Sequence, residues 1–483
     1  MKRPLHTFVL DGARNLGYLD VALGLFATLS LAAILVWAET GPAAILGLPP
    51  GTSILLCALA LGSISLLLTD QKRWVLSVIV MFSVFSLRDS QEGFTAIDLA
   101  FALYVNFGLV VWFVKEVLVL RRRIIYSTFE LYYLIALVLC LITSTIASIA
   151  HGWEARYGIR EFAAFTIFFL YFPFRSVIRS RRDIIHLFVA VAAFGVINGV
   201  VNLMNYQERV IQSALTFGAV NARSAVNEPL SGVLFCAFFI LLAAAGTFRV
   251  RLLAIVGMST FAGLLILSLS RGPIIAAFGG AFIGLALIFP FRIPRMGLSV
   301  LVALAINIGL VFVFLPGFAS SIFDNITTRL ETVERLSADK SLDSRLDEYR
   351  ALFEEYIPSS PVIGYGFGVR FRFYNELTSS TVYPFFTHSG YLHALYKFGI
   401  PAGLILLSLF FIPLLKYPYA SVRIWSREKR ILYAICFSSM ITMMVSNLTS
   451  NTITYYTEIM ILSLILALFD YLHEGGDPSE VPT

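Results

Sequence analysis

The segment that begins at His388 combines the residue types best suited to chemistry in this chain. It reads His388-Ser-Gly-Tyr-Leu-His-Ala-Leu-Tyr-Lys-Phe-Gly-Ile-Pro-Ala-Gly403 and leads into a long apolar stretch. Histidine can exchange a proton near neutral pH, which makes His388 a candidate general base. A lone histidine at the edge of an apolar stretch also occurs for structural reasons, and the sequence alone leaves that alternative open.

Helical spacing predicts which neighbours share the face of this histidine. On a helix that starts at His388, the residues Tyr391, Gly399 and Gly403 fall on the same side. The two glycines form a GxxxG pair, which would let a second helix approach closely. Tyr391 is a candidate substrate-binding residue on that face, and Pro401 could bend the helix.

Arginine offers a second kind of chemistry, the binding of an anionic group. Arg271 lies in a short turn between two apolar stretches, and residues 341–357 predict an amphipathic helix that ends before Pro358. Arg345 falls inside the apolar stripe of that helix and Arg350 falls outside it. The structural alternatives are an interface anchor for Arg271 and a reach toward lipid phosphates for Arg345. The stripe consists of Leu342, Leu346, Tyr349, Leu352, Phe353 and Tyr356.

A glycine-rich run follows the amphipathic helix. Gly364, Gly366 and Gly368 have the spacing GxGxG, which permits a tight turn or a close approach of the backbone to another group. The run does not follow a buried parallel strand, so a dinucleotide-binding fingerprint is not indicated. Gly364 and Gly366 are candidate substrate-binding residues.

The elements that carry these residues belong to a membrane protein. The chain has 483 residues, of which 58% are hydrophobic and 14% are charged. Soluble domains have about 25% charged residues, so this composition excludes a soluble globular protein. Apolar runs of about 17 to 25 residues recur along the chain and predict an all-α polytopic membrane protein with about fourteen transmembrane helices.

The basic residues predict the orientation of these helices. Lys and Arg are concentrated in every second connection, as the positive-inside rule requires, and both termini are therefore predicted to be cytoplasmic. Residues 1–315 are predicted to hold transmembrane helices 1 to 11. A large polar loop with short amphipathic helices follows at 316–387 on the outer side. Residues 388–483 are predicted to hold helices 12 to 14 and a cytoplasmic tail.

Three of these elements, in this order, resemble the O-antigen ligase and O-antigen polymerase family of bacterial envelope glycosyltransferases. The family pattern has an SRG-type turn, here Ser270-Arg271-Gly272. A loop follows that has an arginine ahead of an aromatic helix and a glycine-rich turn, here Arg345 to Gly368. The third part is a histidine-led segment, here His388 to Gly403. The resemblance covers residues 260–415, and it departs from many family ligases at Ser389, where they have Asn.

The resemblance implies an inverting glycosyltransferase that moves a glycan from an undecaprenyl-diphosphate carrier to an acceptor sugar hydroxyl at the periplasmic face. Carried over by position, Arg271 and Arg345 bind the diphosphate, with Arg350 as the alternative to Arg345. His388 then acts as the base on the acceptor hydroxyl or orients that hydroxyl. Guanidinium groups can offset the charge of a departing diphosphate. No metal or other cofactor is expected, because the loop has no Asp-x-Asp pair.

The resemblance leaves the acceptor open. Polymerisation of O-antigen or exopolysaccharide repeat units is the preferred interpretation, transfer to lipid A core is the alternative, and protein O-glycosylation is a third. The expected partners are the lipid-linked donor, a glycan or lipid A core acceptor, the bilayer of the bacterial inner membrane and a chain-length regulator, but not nucleic acid. A flippase or permease is the alternative from another class. Transporters usually bind substrate near the bilayer midplane, whereas the candidate residues here lie outside the apolar runs.

The first prediction concerns the two residues at the ends of this pattern. His388→Ala and Arg271→Ala should leave the protein folded and inserted in the membrane but abolish long-chain glycan. The measurement is the length distribution of surface polysaccharide in a deletion strain complemented with each variant. Polymer of normal length would refute the site assignment.

Overall fold

A computed structural model describes residues 62, 64–85, 103–204, 228–268, 270–288, 305, 309, 340–375, 379–416 and 425–473. These residues are mainly helical, and four described helices are long and apolar enough to cross a membrane: Thr128–His151, Arg181–Val201, Phe248–Leu267 and Gly390–Lys416. The chain is therefore a mainly helical, polytopic membrane protein. Residues 1–61 of the predicted transmembrane region and residues 316–339 of the predicted outer loop lie outside the described residues, and the number fourteen stays a prediction.

Most of the predicted apolar runs within the described residues correspond to helices. We label these helices in chain order. They are α1 (Gln71–Phe85), α2 (Gly108–Phe113, flanked by π-helical turns Leu103–Phe107 and Val114–Val119), α3 (Thr128–His151), α4 (Ala155–Thr166, continued by Ile167–Leu170 and Tyr171–Val177), α5 (Arg181–Met204), α6 (Glu228–Ala244), α7 (Phe248–Leu267), α8 (Arg271–Ile288), α9 (Lys340–Ala351, continued by a π-helical turn Leu352–Tyr356 and Ile357–Ser359), α10 (Gly390–Lys416), α11 (Arg427–Ser446) and α12 (Tyr456–His473).

Helices α8 and α11 pack against each other at glycines of α8. A Cβ atom on Gly284 would lie 3.1 Å from the Cβ of Ser438, and one on Gly280 would collide with the hydroxyl of Thr442. The same hydroxyl donates to the carbonyl of Ala276 at 3.2 Å. Close helix approach at a GxxxG pair therefore occurs in α8, where small residues let the two backbones meet.

Helix α10 is broken at Gly399, which corrects the prediction of a smooth face shared by Gly399 and Gly403. Gly399 has φ 78° and ψ 168°, a conformation outside the helical region that glycine tolerates best. A Cβ on Gly403 would lie 2.8 Å from the carbonyl oxygen of Ala394 in the same element. Pro401 has no backbone N–H, so the carbonyl of Lys397 has no partner in the next turn of the helix.

The loop segment 360–370 fills the break in α10. The N–H of Gly366 donates to the carbonyl of Lys397 at 2.9 Å, and the N–H of Ile400 donates to the carbonyl of Pro361 at 2.7 Å. The Lys397 ammonium is fully buried and lies 3.0 Å from the Glu161 carboxylate, which also accepts from the N–H of Gly368 at 2.6 Å. These bonds fix the loop segment to α4 and α10 at one end of the helices, which we call the loop end.

Helix α9 and a short hairpin form the rest of the described loop. Strand β1 (Phe373–Asn375) pairs antiparallel with β2 (Ser380–Val382), with Phe373 opposite Val382. The all-α prediction did not include this hairpin. The predicted apolar stripe of α9 is also partly wrong, because Leu346 is 49% exposed and Phe353 is 57% exposed. The buried side of α9 instead carries Ser344, Glu348 and Leu352.

A substitution at Gly366 tests whether the glycine-rich run serves packing. Gly366 has φ 77°, and a Cβ there would collide with the backbone of Ser144 and Ser148 in α3. Gly366→Ala should therefore destabilise the protein by about 2 kcal/mol or more, because strain and overpacking add. Gly279→Ala is the matched control, since a Cβ at that position would meet no atom within 4 Å among the residues that the structure describes.

Thermal unfolding of the two purified variants in detergent is the measurement. We expect the apparent Tm of Gly366→Ala to fall by several degrees and that of Gly279→Ala to stay unchanged. Equal Tm values for both variants would show that the contact with α3 is unimportant for stability.

Candidate functional site

The side chain of Glu348 holds His388 by two hydrogen bonds. Its Oε1 accepts from the backbone N–H of His388 at 2.6 Å, and its Oε2 lies 2.5 Å from the imidazole Nδ1. The carboxylate is 1% exposed, whereas the imidazole is 46% exposed. A buried carboxylate on α9 thus orients a histidine side chain that remains accessible.

This geometry selects the tautomer of the histidine. An ionised carboxylate can only accept hydrogen bonds, so the Nδ1 of His388 is the protonated nitrogen and Nε2 keeps its lone pair. A carboxylate that orients an imidazole in this way also stabilises the cation formed when Nε2 takes up a proton. The pair can therefore act as a general base toward a hydroxyl group. His393, the other histidine of this segment, is only 4% exposed.

His388 itself precedes helix α10, which corrects the prediction that it lies on the face of that helix. The first residue of α10 is Gly390, whose N–H donates to the carbonyl of Asn447 at 3.0 Å. A Cβ atom on Gly390 would collide with the Asn447 side chain. The carboxylate of Glu348 accepts from the His388 N–H, a backbone donor just before the helix that has no intrahelical acceptor.

Sequence reasoning did not identify Glu348. On a helical wheel it appears as one charge among several in the polar part of residues 341–357. Its partner lies 40 residues further along the chain, a separation at which spacing gives no information. One sequence signal for its burial was available. Glu348 lies four residues after Ser344 and four before Leu352, a spacing that places all three on one side of a helix, and in the structure all three are buried there.

The turn between α11 and α12 connects the predicted elements at the loop end. The Tyr349 hydroxyl of α9 donates to the carbonyl of Leu448 at 2.7 Å. A Cβ on Gly272, the residue after Arg271, would collide with the hydroxyl of Thr449. Asn447 of the same turn contacts Gly390 of α10. The turn, which comprises residues 446–452, therefore lies between α8, α9 and α10. The structure therefore brings together the three elements that sequence reasoning had predicted separately.

Several polar atoms of the 446–452 turn have no hydrogen-bond partner among the residues that the structure describes. They are Ser446 Oγ, Asn447 Nδ2, Thr449 Oγ1 and Asn451 Nδ2, and each of these atoms is buried. Buried donors are normally satisfied by protein, water or ligand. Asn447 Oδ1, in contrast, accepts from the backbone and the hydroxyl of Thr452 at 2.9 and 2.7 Å.

The two candidate loop arginines lie on different sides of α9. Arg345 is partly buried and acts electrostatically on Tyr349, one turn further along the helix. Arg350 is 65% exposed and lies 3.4 Å from Asp347. Burial raises the pKa of the Tyr349 hydroxyl, and the neighbouring Glu348 charge raises it further. Arg345 is thus on the side of α9 that contacts the 446–452 turn.

The remaining predicted site residues have packing contacts. The Tyr391 hydroxyl donates to the carbonyl of Met444 at 2.8 Å. Gly364 has φ 69°, and a Cβ there would collide with the backbone at Gly399, while Gly366 packs on α3. Packing alone accounts for the presence of Tyr391, Gly364 and Gly366 at these positions. Substrate binding by these residues therefore stays a prediction.

The fold and the site together define an integral membrane protein with an oriented histidine at the loop end of its helices. Residues 253–407, from α7 into α10, match the family model described as O-antigen ligase. This match confirms the family resemblance for that segment of the chain, and it supports a membrane enzyme that transfers glycans. The matched segment includes Arg271, Glu348 and His388. No curated protein matches the chain significantly.

Replacement of Glu348 tests its positioning of His388. Glu348→Gln should lower kcat for glycan transfer by about 10²- to 10⁴-fold, because an amide can present an N–H to Nδ1 and favour the wrong tautomer. KM should change little, since Glu348 is buried behind the histidine. Steady-state kinetics of the purified variant give both values.

The matched control is Glu428→Gln, which removes an exposed carboxylate that is 2.5 Å from Arg181. It should leave kcat unchanged. If Glu348→Gln retains normal kcat, or loses activity only in proportion to a fall in Tm, Glu348 does not position the base.

Proposed function

We propose that this protein is an inverting glycosyltransferase that moves a glycan from undecaprenyl diphosphate to an acceptor sugar hydroxyl at the periplasmic face of the inner membrane. We further propose that it polymerises O-antigen or exopolysaccharide repeat units. The observation that carries the proposal is the Glu348–His388 pair, a buried carboxylate and an accessible imidazole in the segment that matches the O-antigen ligase family. Such a pair is suited to activate a hydroxyl nucleophile.

Two arginines beside the 446–452 turn support binding of the donor diphosphate. Arg271 is the first residue of α8, where the positive end of the helix dipole also attracts an anion. Arg345 lies on the side of α9 that meets the same turn through Tyr349. The buried polar atoms of this turn that have no partner in the described protein offer further donors to phosphate oxygens. The geometry therefore favours Arg345 over Arg350.

The proposed reaction is a single displacement. Nε2 of His388 removes the proton of the acceptor hydroxyl. At the same time, the oxygen of that hydroxyl attacks the anomeric carbon of the donor sugar. The bond between that carbon and the diphosphate oxygen breaks, and undecaprenyl diphosphate leaves with the bonding electrons. Arg271 and Arg345 stabilise the negative charge that develops on the leaving group. One displacement from the opposite side inverts the anomeric centre.

Reconstitution in vesicles tests this function. The purified protein is incubated with a lipid-diphosphate-linked repeat unit that serves as both donor and acceptor, in the presence or absence of lipid A core. Chain extension that depends on His388 is the expected result, and the product linkage should be opposite in configuration to the donor linkage.

Other outcomes would refute parts of the proposal. Transfer to lipid A core without chain extension would identify a ligase and overturn polymerisation. Retention of configuration would overturn the single displacement. Movement of the lipid-linked glycan across the vesicle membrane without any transfer would identify a flippase and overturn the enzyme assignment.

A further inference from the structure

A groove lies on the side of α9 that faces away from Arg345. It has a volume of about 560 Å³ and runs between α9 and the β1–β2 hairpin. Its lining includes carboxylates, guanidinium groups and tyrosine rings. The residues that matter for the argument are Asp347, Arg350, Glu354, Arg372, Tyr374 and Tyr383.

The chemistry of this groove suits a sugar chain. The rings of Tyr374 and Tyr383 are 54% and 55% exposed, so their faces are available to a ligand. Aromatic rings pack against the apolar faces of sugars, while charged side chains hydrogen-bond to their hydroxyl groups. Asp347, Glu354 and Glu355 outnumber the two arginines of the lining, which disfavours a diphosphate. A hydroxyl-rich neutral or amino sugar fits this mixture of donors, acceptors and rings.

The position of the groove on α9 indicates which substrate it would bind. At 3.6 residues per turn, Glu348 lies about 100° around the helix from Asp347, Arg345 about 160° and Tyr349 about 200°. The Glu348–His388 pair thus lies between the groove and the flank that holds Arg345. If the donor diphosphate is bound on the Arg345 flank, the groove lies on the opposite side of Glu348, which is where an acceptor would be placed for attack.

We propose that this groove binds the acceptor glycan and presents its hydroxyl to His388. The proposal rests on the glycosyltransferase function proposed above, because the acceptor is defined by that reaction. Tyr374 and Tyr383 are the specificity-determining rings of the subsite, and Asp347 and Glu354 bind acceptor hydroxyl groups. The donor lipid does not enter the groove.

Kinetics with two different substrates test the acceptor assignment: the lipid-linked repeat unit is the donor, and the repeat-unit oligosaccharide without its lipid diphosphate, which cannot act as a donor, is the acceptor that is varied. In the full-length protein in vesicles, Tyr374→Ala and Tyr383→Ala should each raise the KM for the acceptor by about tenfold. The kcat at saturating acceptor and the KM for the donor should stay within about twofold of the wild type. Phe353→Ala, which removes an exposed ring of α9 outside the groove lining, should change none of these values. A rise in the donor KM, or no change in either KM, would overturn the proposal.

A binding measurement separates this proposal from the proposed function. The probe is the repeat-unit oligosaccharide released from its lipid by mild acid, titrated into the detergent-purified protein in a calorimeter. Binding to the wild type that weakens about tenfold in Tyr374→Ala supports the groove, even if no transfer is detected and the glycosyltransferase assignment fails. Absence of binding to the wild type, or equal binding to both proteins, overturns the groove whether or not the enzyme is active.

Discussion

The break in α10 at Gly399 is the constraint on which the arrangement of the loop depends. A continuous helix would use its own carbonyl groups, but the positive φ of Gly399 and the missing N–H of Pro401 leave the carbonyls of Tyr396 and Lys397 available. The backbone of the loop segment 360–370 takes both of them, and the buried Lys397–Glu161 pair adds a charged contact on the same segment. Removing one partner of a buried ion pair leaves an uncompensated charge, so a single substitution at Lys397 or Glu161 would weaken this attachment strongly.

Attachment of the loop determines where α9 lies, and α9 in turn separates the parts of the candidate site. Ser344 and Glu348 are buried on one side of the helix, and Glu348 is hydrogen-bonded to His388. One flank of the helix contacts the 446–452 turn through Tyr349. The opposite flank faces the groove at the hairpin. A single helix of three turns therefore carries a base-orienting residue, a candidate phosphate-binding residue and a candidate sugar-binding surface at distinct angles around its axis.

The sequence predicts the parts of this site that depend on local patterns. Apolar runs gave the helices, and residue type together with family resemblance selected Arg271 and His388. The parts of the site that the sequence does not predict depend on contacts between distant segments. In the sequence, Glu348 has the pattern of a solvent-exposed charge. Only its contact with the distant His388 shows that it is buried in the candidate site. The GxxxG rule was applied to Gly399 and Gly403, whereas the close helix approach occurs at Gly280 and Gly284 of α8. Spacing alone cannot tell whether a glycine serves a neighbouring helix or a break in its own helix.

The double hydrogen bond of Glu348 has a thermodynamic consequence. The same carboxylate holds the backbone N–H and the imidazole of His388, so both are released if α9 moves away. Docking of α9 and orientation of the imidazole are thus a single equilibrium. Any ligand that binds better to docked α9 must increase the population in which the imidazole is oriented, by the ratio of its affinities for the two states. Ligand binding to the loop and the fraction of molecules in which His388 is oriented as a base are therefore thermodynamically linked.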